Sequence, residues 1–236
     1  MKYPSNYKPK PPFIQKSHAL HITVSLSAAV STLFKLKLCI VQPVVLRRST
    51  AVTAPFLPER VKGLVSAGGY SIQDIAGSSK PAEPEEEFRI WYQFYFHTKR
   101  GQLGFEKHRV EFCKLLWNLW SPNWEFTDNQ YEQTAKSFKN PDFAEVIIHS
   151  YRHRFGLEKG DPIYEDLESQ LVAQPSITVP TVVIDCEGDG VMPPSSLEFH
   201  HQFFTKIQQH IILPSIGHNL PQEAPREFAH AVMSLL

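Results

Sequence analysis

Two short stretches near the carboxyl end carry the residue types from which a general-base catalyst is built. The first runs Ile184-Asp185-Cys186-Glu187-Gly188-Asp189-Gly190-Val191-Met192-Pro193, and the second Pro214-Ser215-Ile216-Gly217-His218-Asn219-Leu220-Pro221. Each follows a run that reads as a strand, and they lie one strand–helix unit apart, acid before histidine. A carboxylate paired with an imidazole fixes its tautomer and stabilises the imidazolium that forms when the ring takes a proton. Taken singly, Asp185, Glu187 and Asp189 also fit a solvated acidic turn, and His218 fits a cap on the last helix. The pairing of the loops singles out Asp189 and His218. His200, His201, His210 and His230 fall on helix or strand bodies and read as surface or packing residues.

The elements that must position these loops follow from hydrophobic period. Residues 61–67 (VKGLVSA) form a short apolar run closed by Gly68-Gly69, a buried strand and a turn. Residues 79–87 are polar, acidic and Pro-containing, as in a surface loop. Aromatic and aliphatic residues at helical spacing then predict helices over 88–98 and 105–120, with Leu103, Val110, Cys113, Leu116, Trp117 and Trp120 on the apolar face. Pro122 stops the second of these. Further helices are predicted over 128–138, 141–155 and 165–172, and Trp117, Trp120 and Trp124 read as packing aromatics. The period then changes to strands at 179–184 and 209–213, with helices at 195–204 and 224–235. This order predicts an α/β fold, the second half of a parallel sheet with a helical insertion.

Three motifs carry a family resemblance. PERVKGLV (58–65), VPTVVIDCEGDGVMPP and IGHNLPQEAPREFA resemble the marker after the nucleophile helix, the acid strand and the histidine loop of the α/β-hydrolase family. They occur in the family's order and cover about 178 of the 236 residues, with Cys186 standing where the family commonly has glycine. The resemblance implies an incomplete α/β-hydrolase fold over 58–236, with a helical cap at about 80–175. It places the catalytic acid on Asp189 and the base on His218. Within the cap, WYQFYF (91–96) and HSYRHRF (149–155) resemble the epoxide-hydrolase-like branch, with phenols at Tyr92 and Tyr151. In such enzymes an aspartate attacks carbon while two phenols hold and protonate the leaving oxygen. Dehalogenase relatives use Trp, His and Tyr here instead, and ordinary packing is the alternative role for both tyrosines. The resemblance implies no metal or organic cofactor, and a small apolar molecule in the cap pocket.

Residues 1–58 differ in composition from the rest. They hold eight Lys and Arg and no acid, so all 24 carboxylates begin at Glu59 and the first glycine is Gly63. With 24 basic residues in the whole chain the net charge is zero, which points away from nucleic acid. Residues 1–57 therefore read as a non-family segment, disordered or poorly structured, apart from one strand at roughly 38–46. A transit peptide and a weak secretory apolar run at 19–34 are alternatives, although the apolar run starts late, with His18 beside it and His21 within it. No window of 18 clean apolar residues exists, so a membrane span is not expected. Cys39, Cys113 and Cys186 are odd in number and show no metal or disulfide spacing. The expected location is the reducing cytoplasm.

The family's nucleophile elbow should precede PERVKGLV by about one helix, in Gln42-Pro43-Val44-Val45-Leu46-Arg47-Arg48. Such an elbow needs small neighbours around an acid or hydroxyl, and Val44 offers neither. Three class readings follow: a hydrolase keeping only its acid–histidine pair, a binding remnant whose aromatic cap holds apolar ligands, and an unstable product with an exposed sheet edge. The resemblance ends abruptly at the composition boundary, as a shifted reading frame or a fused unrelated exon would make it. Val44→Asp should leave covalent turnover absent, because Gln42 and Leu46 still deny the turn. Translation of the gene in the other forward frames should reveal a G-x-D-x-G or G-x-S-x-G run; its absence from both would rule out a frameshift.

Overall fold

Runs of β-branched and aliphatic residues build the sheet. A computed structural model of the chain describes residues 38–41 and 53–236. Its strands are β1 (Leu38–Val41), β2 (Val61–Ala67), β3 (Thr181–Cys186) and β4 (Ile207–Leu213). Among the described residues they form one sheet in the order β1-β2-β3-β4, every neighbouring pair parallel. β3 is buried along its whole length, as expected of a parallel strand covered on both faces. Successive side chains go to opposite layers: Leu64 and Val183 pack with Ile177, Val179 and Phe204. Val65, Val182, Ile184 and Cys186 pack with Leu220, Ala224, Ala231 and Leu235.

Between β2 and β3 lie six helices: α1 (Pro84–Arg89), α2 (Trp91–His97), α3 (Lys99–Trp120), α4 (Asp128–Ala135), α5 (Phe143–Arg154) and α6 (Glu165–Val172). α7 (Leu197–His201) joins β3 to β4, and α8 (Leu220–Glu223) and α9 (Pro225–Met233) follow β4. The helical block has its own apolar cluster of Tyr92, Phe96, Phe105, Leu116, Ala144 and Ile148. α2 and α3 meet closely at Gly101, where a Cβ would lie 1.7 Å from the Tyr95 carbonyl oxygen. Thr98 caps α3 by accepting the Gly101 N–H at 2.9 Å. Thr127 and Gln130 form a reciprocal capping box on α4.

Several boundaries differ from the sequence reading, each for a local reason. The acidic loop at 79–87 gives way to α1 at Pro84, since proline followed by three glutamates is a favourable helix start. α3 begins six residues early and is kinked at His108, whose backbone is non-helical. The kink resets the helical frame, so Leu103 and Val110 are exposed and Phe105 takes the buried face. The strand expected at 38–46 is seen over Leu38–Val41, and its remainder lies outside the described residues. No helix of the described residues is long and apolar enough to cross a membrane.

Phe204 is completely buried between the sheet and α7, whereas Ile163 is 72% exposed. Phe204→Ala should therefore cost about 3–5 kcal/mol of unfolding free energy. Ile163→Ala should stay within about 0.5 kcal/mol. Urea denaturation of the two variants checks the assignment of the core.

Candidate active site

β3 and β4 run parallel and adjacent, so the loops leaving their carboxyl ends are neighbours, the usual position of a ligand site in an open α/β sheet. Main-chain hydrogen bonds knit the loops together. Glu187 N–H donates to the Leu213 carbonyl at 3.0 Å and Gly188 N–H to the Ile216 carbonyl at 2.9 Å. Only glycine fits at 188, where a Cβ would lie 2.9 Å from both the Ser215 and Ile216 carbonyl oxygens. Ser215 itself is held in the left-handed region at φ 60°.

The structure brings Asp189 and His218 together, with His218 Nδ1 2.8 Å from Asp189 Oδ2. The other carboxylate oxygen accepts the N–H groups of Val191 at 2.7 Å and Met192 at 2.9 Å. A carboxylate so oriented accepts only, so the proton sits on Nδ1 of His218 and the lone pair of Nε2 is left for base chemistry. Both side chains are largely shielded from water.

The end of α3 joins the cap to this pair. The Trp120 carbonyl accepts the Gly190 N–H at 2.9 Å and the His218 N–H at 3.1 Å, one from each loop. Ser121 hydroxyl donates to Glu223 Oε1 at 2.7 Å, and Glu223 also accepts the N–H groups of Gly217 at 2.7 Å and Asn219 at 2.9 Å. Glu223 thus fixes both residues flanking His218. Sequence reasoning missed Trp120, Ser121 and Glu223 as site residues. For Glu223 a signal existed, since Asn219 followed four residues later by an acid is a helix-start pattern related to the capping box.

The Trp120 ring packs against the cap's apolar cluster, as expected, and also reaches the acid–base pair. It lies 5.4 Å from the His218 ring and 5.5 Å from the Tyr92 ring, centroid to centroid. Tyr92 and Tyr151 meet edge to face at 5.4 Å, so a continuous file of rings runs from the base to both phenols. Trp117 and Trp124, by contrast, stack on each other at 5.1 Å in a separate cluster. Gln93 Nε2 donates to the Tyr92 hydroxyl at 3.3 Å, and the Arg154 guanidinium lies 4.4 Å over the Tyr151 ring. Burial, reinforced by the neighbouring Tyr151, pushes the Tyr92 phenol well above its ordinary 10.0, so it is a neutral donor near pH 7.

A second acid–histidine group forms at the carboxyl end of β3. Asp185 is not in a solvated turn but 3% exposed at the end of β3. His200, expected as a surface or packing residue, is 1% exposed and places Nε2 2.8 Å from Asp185 Oδ2. His210 on β4 places its Nε2 2.9 Å from the same oxygen. Period alone could not find this group, because its members come from β3, α7 and β4. Burial raises the Asp185 carboxyl, but hydrogen bonds from His200 and His210 outweigh burial and hold it below its ordinary 3.8. The three ligand atoms lie within 4.8 Å of one another and are the described group whose chemistry could accept a metal ion. Glu187, His201 and His230 are exposed and join neither group. Val44 and its neighbours at 42–48 lie outside the described residues.

Neither a family model nor a curated protein matches the chain. Solved structures do. A protein from Klebsiella pneumoniae subsp. pneumoniae MGH 78578 shares 35% identity over 98% of this chain and 75% of its own, with a TM-score of 0.86. One from Pseudomonas aeruginosa shares 12% identity over 96% and 73%, with a TM-score of 0.67. Both are described as a "putative epoxide hydrolase". A Nostoc sp PCC 7120 protein, described as a "putative alpha/beta hydrolase", shares 17% identity over 94% and 72%, with a TM-score of 0.69.

The raised Tyr92 phenol gives a signed pH dependence. Its proton is held more tightly in the folded than in the unfolded chain, so stability tied to it is present below pH 10.0 and lost as pH rises beyond. Tyr92→Phe should therefore compare more favourably with the wild type at about pH 11 than at about pH 8. Equal differences at the two pH values, measured by urea denaturation, would show an accessible phenol.

Proposed function

The chain belongs to the α/β-hydrolase family and is epoxide-hydrolase-like in structure, and from that premise we propose that it carries the water-activating half of a hydrolase site for epoxide, alkyl-halide or ester substrates. The observation that carries this reading is the 2.8 Å contact between His218 Nδ1 and Asp189 Oδ2. His218 Nε2 takes a proton from water, whose oxygen adds to the carbonyl of the ester that an attacking group would form with the substrate. The ester C–O bond breaks, the product alkoxide takes the proton back from the imidazolium, and Asp189 stabilises that imidazolium. Tyr92 and Tyr151 donate hydrogen bonds to an oxygen on which negative charge develops.

The covalent half needs an attacking group at the position of Val44, and valine has no lone pair to give. That residue favours a second reading, in which the aromatic cap holds apolar ligands without turning them over. The purified protein, challenged with an aryl epoxide and a p-nitrophenyl ester, should give no more product than His218→Ala. Saturable quenching of tryptophan fluorescence by the epoxide is expected on either reading, since Trp120 stands between the base and the phenols. Clear turnover abolished by His218→Ala would place a nucleophile elsewhere. No quenching and no turnover would sink both readings.

A further inference from the structure

We propose that Asp185, held by His200 and His210, is a positioning residue that sets the acid loop so that Asp189 meets His218. The inference rests on the reading of Asp189 and His218 as the acid–base pair. Asp185 Oδ2 receives Nε2 of His200 at 2.8 Å, Nε2 of His210 at 2.9 Å and the Ser195 N–H at 3.3 Å. These donors come from three places that matter to the pair. Ser195 closes the loop that Asp185 opens, and Asp189 lies between them. His210 sits on β4, the strand that runs directly into the His218 loop, and is paired in register with Val183 of β3. His200 belongs to α7, and its ring packs against the turn after β2, where a Cβ on Gly69 would lie 2.7 Å from His200 Cε1.

One carboxylate oxygen therefore clamps both ends of the acid loop and ties the acid's strand to the base's strand. A buried carboxylate is retained only when its donors are in place, so the geometry is all or none. The same atoms also decide between a hydrogen-bond clamp and a cation site. With Nε2–H tautomers, both histidines donate to Asp185 and His200 Nδ1 is a bare acceptor. A cation on Nε2 would move the His200 proton to Nδ1, which is buried without a hydrogen-bond partner. Ligating histidines normally give that proton to a carbonyl or carboxylate. The clamp leaves the smaller unsatisfied group.

Histidine tautomers read by nitrogen NMR on the full chain test this without requiring turnover. In the wild type His218 should be the Nδ1–H form, and His200 and His210 the Nε2–H form. His210→Leu removes one donor, and the Nδ1–H fraction of His218 should fall by roughly half or more, because its tautomer is set by the Asp189 bond. His210→Gln, which keeps an N–H at similar reach, should restore it. Asp185→Asn should lower it further. Should Asp185→Asn fail to fold, the His210 pair decides alone. An unchanged His218 tautomer in His210→Leu, even with a lower melting temperature, would show a purely structural cluster and overturn the proposal. Conversion of His200 and His210 to Nδ1–H on adding zinc would overturn it in favour of a cation site. A wild-type His218 that is not Nδ1–H would remove the acid–base pair itself, and with it both readings.

Discussion

One peptide carbonyl holds the site in register. Trp120 ends the longest helix of the cap, and its oxygen accepts an N–H from the acid loop and another from the base loop. Buried main-chain N–H groups must find acceptors, so the two loops cannot rearrange independently. The local sequence is shaped around this joint. A Cβ at Gly190 would come 2.0 Å from the Leu119 carbonyl oxygen, and one at Gly217 would come 2.5 Å from Ser121 Cα. Glycine is required at both places because the helix end is seated against bare backbone. The cap is thus a structural member of the acid–base pair as well as a cover over it.

Beneath that joint, two carboxylates four residues apart have different surroundings. Asp189 sits in the loop, with two main-chain donors and one imidazole. Asp185 sits in the strand, with two imidazoles and one main-chain donor, and is held below its ordinary range despite burial. Cys186, between them, points to the opposite layer, and burial first, then the nearby acids, pushes its thiol up to about 12. Strand alternation accounts for the split, since adjacent residues of β3 face different helices.

Legibility in the sequence followed the range of the physics involved. The strands at 61–67 and 179–184 and the loops after β3 and β4 were readable because they depend on local period and on paired residue types. Helix limits shifted where a local backbone feature intervened, as at His108 and Pro84. The Asp185 group was not readable. His200 and His210 sit on elements whose own patterns are unremarkable, and only the sheet order brings them to one oxygen. Trp120 resembles the other cap tryptophans in sequence because the His218 and Tyr92 rings and the two loop N–H groups reach it only through the fold.

The kink at His108 has a mechanical consequence. Bending a helix costs least where its hydrogen-bond ladder is already interrupted, so α3 is two stiff levers on a hinge. The lever ending at Trp120 is bolted to both loops and cannot tilt without breaking them. The lever beginning at Lys99 is fastened to α2 through Gly101 and carries Phe105 against Phe96, with ring centroids 4.9 Å apart. Compliance in this cap is therefore one-sided. The wall behind the imidazole belongs to the lever fixed to both loops, and a bend at His108 moves the α2 side alone.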